Sequence, residues 1–271
     1  MLETGGLAGI LKVLAAVAIV IPLALYLLQD SLIFFPRPLS ESARAGITRQ
    51  HAYAREIVLR SQDGKRLHAW HVPAASPGAP LVLYFGGNAE DMSWMIPEAK
   101  RRTPDVAWLL VNYRGYGGSE GSPSEETISA DALQWHDHAA TELKPRRIAV
   151  FGRSLGSGAA VVVASQRKVD AVVLVTPFDS LVEVAKRHYP FLPVSLMLRH
   201  QFDSIGRAPG ITAPLLCIAA QRDEIIPSSH ARKLYDAWGG DKRWLELEGA
   251  SHNSTDGVPA FWQSIAAFLS K

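Results

Sequence analysis

A series of short apolar runs set far apart constrains this chain more than any other feature. The runs are Leu81 to Phe85, Val106 to Val111, Ile148 to Phe151, Ala171 to Val175, Leu215 to Ala219 and Trp244 to Leu247. Continuous apolar runs without alternation suit strands buried on both faces. Helix-length stretches separate them, among them Glu125 to Leu143, Leu155 to Gln166, Ser229 to Trp238 and Pro259 to Leu269. Alternating strand and helix predicts a mostly parallel sheet flanked by helices, an α/β fold. Two further strands, Glu56 to Arg60 and Arg66 to Val72, flank the turn dipeptide Asp63-Gly64 and predict an antiparallel edge. With 271 residues, 48% of them apolar, the chain can fill one large core, and no second boundary appears after residue 37.

The first 36 residues read differently. Leu7 to Leu28 is apolar except for Lys12, and as a helix would span roughly 33 Å, enough for a hydrocarbon core of about 30 Å. Lys12 can snorkel to the headgroups. Ile33-Phe34-Phe35-Pro36 offers aromatics at interface depth, and Pro36 and Pro38 stop the helix. A cleaved signal peptide is the competing reading, but its apolar core is shorter and Tyr26-Leu27-Leu28-Gln29 is a poor cleavage site. The division expected is a membrane anchor over 1–36 and one globular domain over 37–271. Lys12 lies on one side of the span and Arg37, Arg44, Arg49 and Arg55 on the other, which favours a cytoplasmic placement of residues 37–271.

Composition excludes little else. A net charge of +2 and the lack of a basic stripe argue against a nucleic-acid partner. The single cysteine, Cys217, forms no internal disulfide and reads as a buried thiol within Leu215-Leu216-Cys217-Ile218-Ala219. No metal-ligand spacing is present, and no cofactor is implied.

Gly152-Arg153-Ser154-Leu155-Gly156 has the form G-x-S-x-G. Chance gives roughly 0.1 such matches in a chain of this composition, so its setting decides. It follows an apolar strand and opens a helix, the strand–turn–helix context in which such a serine stands exposed above a sheet as a nucleophile. A plain helix cap is the alternative. A serine hydroxyl needs a base. In this architecture the order is serine, acid, histidine, which leaves His188, His200, His230 and His252. His252 sits in a loop after the last strand, at the sheet edge where ligands bind. The acid expected past the preceding strand is Asp223, with Glu224 second and Asp179, otherwise a helix cap, third. Oxyanion donors would be the backbone N–H groups of Leu155 and of Asn88, which follows Gly86-Gly87 after a strand.

Taken together, Gly86-Gly87-Asn88-Ala89, Asn112-Tyr113-Arg114-Gly115-Tyr116-Gly117-Gly118-Ser119, Gly152 to Gly156, Asp223 and Ser251-His252-Asn253 resemble the α/β-hydrolase superfamily from about Asp30 onward. The resemblance is to its small, N-terminally anchored members, which include acyl-protein-thioesterase-like, lysophospholipase-like and serine-peptidase-like enzymes. It implies an α/β-hydrolase fold, a Ser154–Asp223–His252 triad and an oxyanion hole at Asn88 and Leu155. The family often has His-Gly where Gly86-Gly87 stands. Its loop equivalent to Asn112–Ser119 is structural, so Arg114 is expected to be paired near the site without acting in it. Thr176 to Ala213 leaves room for a short cap only, whose Tyr189 to Pro193 and Leu196 to Leu198 suggest a lipid-like or acylated substrate. The expected reaction is hydrolysis of a carboxylic ester or thioester through an acyl-enzyme. An aminopeptidase or amidase using the same residues is the alternative, and a non-catalytic membrane-anchored binding protein a further one.

Overall fold

The computed structural model describes residues 3–270, the stretch before Ile19 largely as backbone. Eight strands form one sheet: β1 Arg55–Arg60, β2 Arg66–Val72, β3 Leu81–Phe85, β4 Ala107–Asn112, β5 Ile148–Arg153, β6 Ala171–Val175, β7 Leu215–Ala220 and β8 Lys242–Leu247. Their order is β1-β2-β4-β3-β5-β6-β7-β8, antiparallel between β1, β2 and β4 and parallel from β4 to β8. This is the architecture the apolar runs predict, with the hairpin at the edge.

The helices are α1 Glu3–Ile33, α2 Glu41–Gln50, α3 Met95–Arg102, α4 Glu125–His138, α5 Leu155–Gln166, α6 Leu181–His188, α7 Val194–Met197, α8 Ser204–Arg207, α9 Ser228–Ala237 and α10 Pro259–Leu269. The last turn of the α4 region widens over Ala139–Leu143. Side chains of β3 alternate between two cores because successive residues of a strand face opposite ways. Leu81, Leu83 and Phe85 share one core with Trp135, Ala160 and Leu234. Val82 and Tyr84 share the core on the other face with Ile96, Trp108 and Trp262. Cys217 is buried in the first of these cores, and its burial pushes the thiol pKa up, away from reactivity.

Of two expectations for the N-terminal stretch, the span falls partly outside the described residues and the free aromatics need correction. Among the described residues no helix is long and apolar enough to cross a membrane. The span expected over Leu7 to Leu28 lies, in its first part, outside the described side chains. The aromatics that follow α1 are not both free for an interface. Phe34 is buried in the core, edge-on to His200, because the chain past α1 is bonded into the fold: Gly117 N–H donates to Arg37 O and Leu39 N–H to Gly117 O, each at 2.8 Å.

Between β6 and β7 the chain forms the short cap α6–α8, of the size expected for Thr176 to Ala213. Phe191 and Leu196 at its tip are almost fully exposed, 97% and 88%.

Candidate active site

β5 lies at the middle of the sheet, and its carboxyl end carries the G-x-S-x-G turn. Ser154 has φ 51° and ψ −118°, a conformation L-residues rarely adopt. Two contacts hold it there. The Ser154 N–H donates to Val175 O of the neighbouring strand at 2.9 Å. Gly156 brings α5 directly against the Phe85 carbonyl at the end of β3, where any Cβ would overlap backbone. That approach sets the start of α5 beside the loop that leaves β3.

The hydroxyl sits in a cavity of about 230 Å³ lined by Phe35, Gly87, Asn88, Ala89, Glu90, Arg153, Ser154, Ile225, His252 and Asn253. It opens at the carboxyl ends of the strands, where α/β sheets bind ligands. A larger hollow of about 500 Å³ lies at the opposite end of the sheet, among Pro80, Arg147, Asp170 and Lys242, away from all of the predicted site residues.

The three side chains expected from chain order lie in one hydrogen-bonded line. His252 Nε2 is 2.9 Å from Ser154 Oγ, and His252 Nδ1 is 2.7 Å from Asp223 Oδ2. Nδ1–H donates to the carboxylate, which leaves Nε2 to accept from the hydroxyl. The second Asp223 oxygen accepts from the backbone N–H groups of Ile225 and Ile226 at 3.0 and 2.7 Å. Both Asp223 and His252 are buried.

The other candidates are engaged elsewhere. His188 Nε2 meets Ile225 O at 3.0 Å, and His200 Nε2 meets Asp30 at 2.7 Å. His230 and Asp179 pair with each other, Nδ1 to Oδ1 at 2.7 Å, both buried. Asp179 does not cap α6; Ser180 does, its hydroxyl accepting from Glu183 N–H. Glu224 points to solvent.

The loop after β3 holds Asn88. Within the described residues neither the Asn88 nor the Leu155 backbone N–H is spent on another acceptor. The loop is shaped by neighbours instead of by the family's histidine. Gly87 N–H donates to Glu90 Oε2 at 3.1 Å, and Glu90 Oε1 pairs with the buried Arg153 at 3.2 Å. The Tyr113 hydroxyl donates to Gly86 O at 2.8 Å and the Tyr116 hydroxyl to Asn88 Oδ1 at 2.7 Å. Both tyrosines belong to the Asn112–Ser119 stretch, which therefore buttresses the site. Arg114, from the same stretch, is paired as expected: it forks onto Asp131 at 2.8 and 2.9 Å and reaches Asp63 at 2.7 Å.

Sequence reasoning missed Phe35, Glu90, Arg153 and Tyr116 as lining or supporting groups. The glycines around Tyr116 marked a tight loop, but nothing local indicated which loop it would meet.

Known proteins agree with this architecture. A profile of the alpha/beta hydrolase fold family matches residues 80–197. An uncharacterised protein of Mycobacterium tuberculosis, Rv2307c, is 36% identical over 91% of this chain and 88% of its own length. A yeast protein, described as the uncharacterised membrane protein YNL320W of Saccharomyces cerevisiae, is 31% identical over 79% of this chain and 78% of its own. Among solved structures, the esterase Pf2001 of Pyrococcus furiosus shares the fold with a TM-score of 0.68 at 17% identity, over 88% of this chain and 97% of that one. With this sheet, this turn at Ser154 and these relatives, the chain belongs to the α/β-hydrolase family.

Proposed function

We propose that this hydrolase cleaves carboxylic esters or thioesters through an acyl-enzyme, with Ser154 as nucleophile, His252 as base and Asp223 as the acid that orients it. The observation carrying this reading is the line Asp223–His252–Ser154, with contacts of 2.7 and 2.9 Å. Ser154 Oγ attacks the acyl carbon while its proton passes to His252 Nε2. Asp223 stabilises the imidazolium and fixes its tautomer. The oxyanion is received by the N–H groups of Asn88 and Leu155, with the N-terminus of α5 behind it. Collapse expels the alcohol or thiol, which takes the proton from His252. Water then attacks the acyl-enzyme with His252 again as base, releasing the acid and restoring Ser154.

The apolar rim of Phe35 and Ile225, both about half exposed, supports an acyl-bearing or lipid-like substrate. An aminopeptidase would need a free carboxylate for the substrate ammonium. Glu90, the acidic group lining the cavity, is already engaged by Arg153 and by Gly87 N–H, which favours the ester reading.

Residues 1–36 are proposed to hold residues 37–271 at a membrane. The apolar run Leu7 to Leu28 supports this, as do the exposed Ile19, Val20, Leu23, Leu27 and Leu28 and the description of the yeast relative as a membrane protein.

The test is a substrate series with the full-length protein in detergent: p-nitrophenyl esters and acyl thioesters of increasing chain length beside aminoacyl amides. Turnover of esters and thioesters, rising with chain length, is expected. Amide turnover as fast as ester turnover, or no turnover of either, would overturn the reading.

A further inference from the structure

The segment leaving α1 does not simply connect an anchor to a catalytic fold; it passes over the loop that carries Asn88. The Asn88 amide donates from Nδ2 to Ile33 O at 2.5 Å. Its Oδ1 accepts from Phe35 N–H at 3.0 Å, from the Tyr116 hydroxyl at 2.7 Å and from Ala89 N–H at 3.0 Å. Phe35 N–H also reaches the Tyr116 hydroxyl at 3.0 Å. The Asn88 side chain thus holds two stretches of chain together, its Oδ1 accepting three bonds and its Nδ2 donating to Ile33 O.

The strap itself is fastened at both ends. Before it, on the last turns of α1, Gln29 Oε1 accepts from Arg199 N–H at 2.7 Å. Asp30 receives Arg199 at 2.8 Å and His200 at 2.7 Å. After it, Arg37 and Leu39 pair with Gly117 of the loop that also supplies Tyr116. The loop being clamped needs holding, since Ala89 has φ 61°, in the left-handed region unfavourable for residues with a Cβ. By contrast, the hydrogen-bonded line Ser154–His252–Asp223 includes no residue of the strap.

We infer that the strap Ile33 to Leu39 is a positioning element of the active site: acting through the side chains of Asn88 and Tyr116, it sets the oxyanion loop, so the segment that follows α1 controls the rate of acyl transfer. This rests on the hydrolase reading above. Loosening the clamp displaces an oxyanion donor while leaving nucleophile and base in place. Displacements of about 1 Å in such a site cost up to roughly 100-fold in rate.

The test uses full-length wild type, Asn88→Ala and Tyr116→Phe in detergent. Each is titrated to completion with a fluorophosphonate, and p-nitrophenyl ester turnover is expressed per titrated serine. Asn88→Ala keeps the backbone N–H but removes the clamp. Its kcat is expected to fall about 10- to 100-fold, with KM within about twofold and full titration of the serine. Tyr116→Phe keeps the buried ring and is expected to lower kcat by a smaller factor, again with KM held. A purely structural role would lower the titratable fraction or the melting temperature while leaving kcat per titrated serine unchanged. If wild type labels and turns over but both variants keep kcat within twofold, the strap inference falls and the hydrolase reading stands. If wild type neither labels nor turns over, the hydrolase reading falls and takes the strap's role with it. Should Asn88→Ala fail to fold, Tyr116→Phe decides.

Discussion

His68 and Arg114 show how far single residues commit this fold. His68 is fully buried on β2, its Nδ1 accepting from the Asn112 amide at 2.9 Å and its Nε2 facing Glu56 at 3.2 Å. Burial pushes its pKa down to about 4, against the opposing pull of Glu56. The folded value lies below the roughly 6.5 of an unfolded histidine, so the folded state binds fewer protons. The stability this residue contributes is therefore complete above about pH 6.5 and is lost as the pH falls from there to about 4. Urea midpoints measured from pH 7 to pH 4 should fall for wild type and flatten for His68→Gln; parallel curves would show that His68 is not the titrating group. Arg114→Ala leaves Asp131 buried without its partner and is expected to cost about 3–5 kcal/mol, read by chemical denaturation. At the catalytic end, Asp223→Asn should keep the fold and lower kcat on the order of 10⁴-fold, since the imidazole then loses the partner that fixes its tautomer.

At the scale of elements, legibility followed burial pattern. The strands between β2 and β7 stood out because both faces are covered, which leaves uninterrupted apolar runs. α5 and α10 were readable to the residue, being bounded by the Ser154 turn and by Pro259 at a first helical position. α2 was not, because it buries no residue and so carries no apolar stripe. α3 escaped notice for its shortness and for Pro97, which sits in its first turn. In the candidate site, Ser154, Asp223 and His252 could be read because chain order and strand ends locate them. Phe35 and the Asn88 clamp could not, since they arise where residues more than fifty apart in sequence meet. The same long-range packing makes the serine turn intolerant of added bulk. Gly156→Ala would push Cβ into the Phe85 carbonyl; a loss of about 1–3 kcal/mol together with a fall in ester turnover is expected. Unchanged melting and unchanged turnover would mean that α5 can withdraw from β3 without disturbing Ser154.

In the whole molecule, the carboxyl edge of the sheet, the short cap and the end of α1 converge on one side. The cavity with Ser154 has Phe35 at its rim, a residue only two positions past the end of α1. A substrate drawn from a lipid phase would reach the site along that side, which fits the exposed Phe191 and Leu196 of the cap and the exposed apolar residues of α1. Co-sedimentation with phosphatidylcholine vesicles should recover the full-length chain in the pellet; a chain left in the supernatant without detergent would count against membrane attachment. The proposed hydrolysis depends on one residue acting as nucleophile. The most direct measurement treats purified full-length protein and Ser154→Ala with a fluorophosphonate and maps the adduct by peptide mass spectrometry. A single stoichiometric adduct on Ser154, absent from the variant, is the predicted result; labelling that persists in Ser154→Ala, or an adduct mapped to another residue, would contradict it.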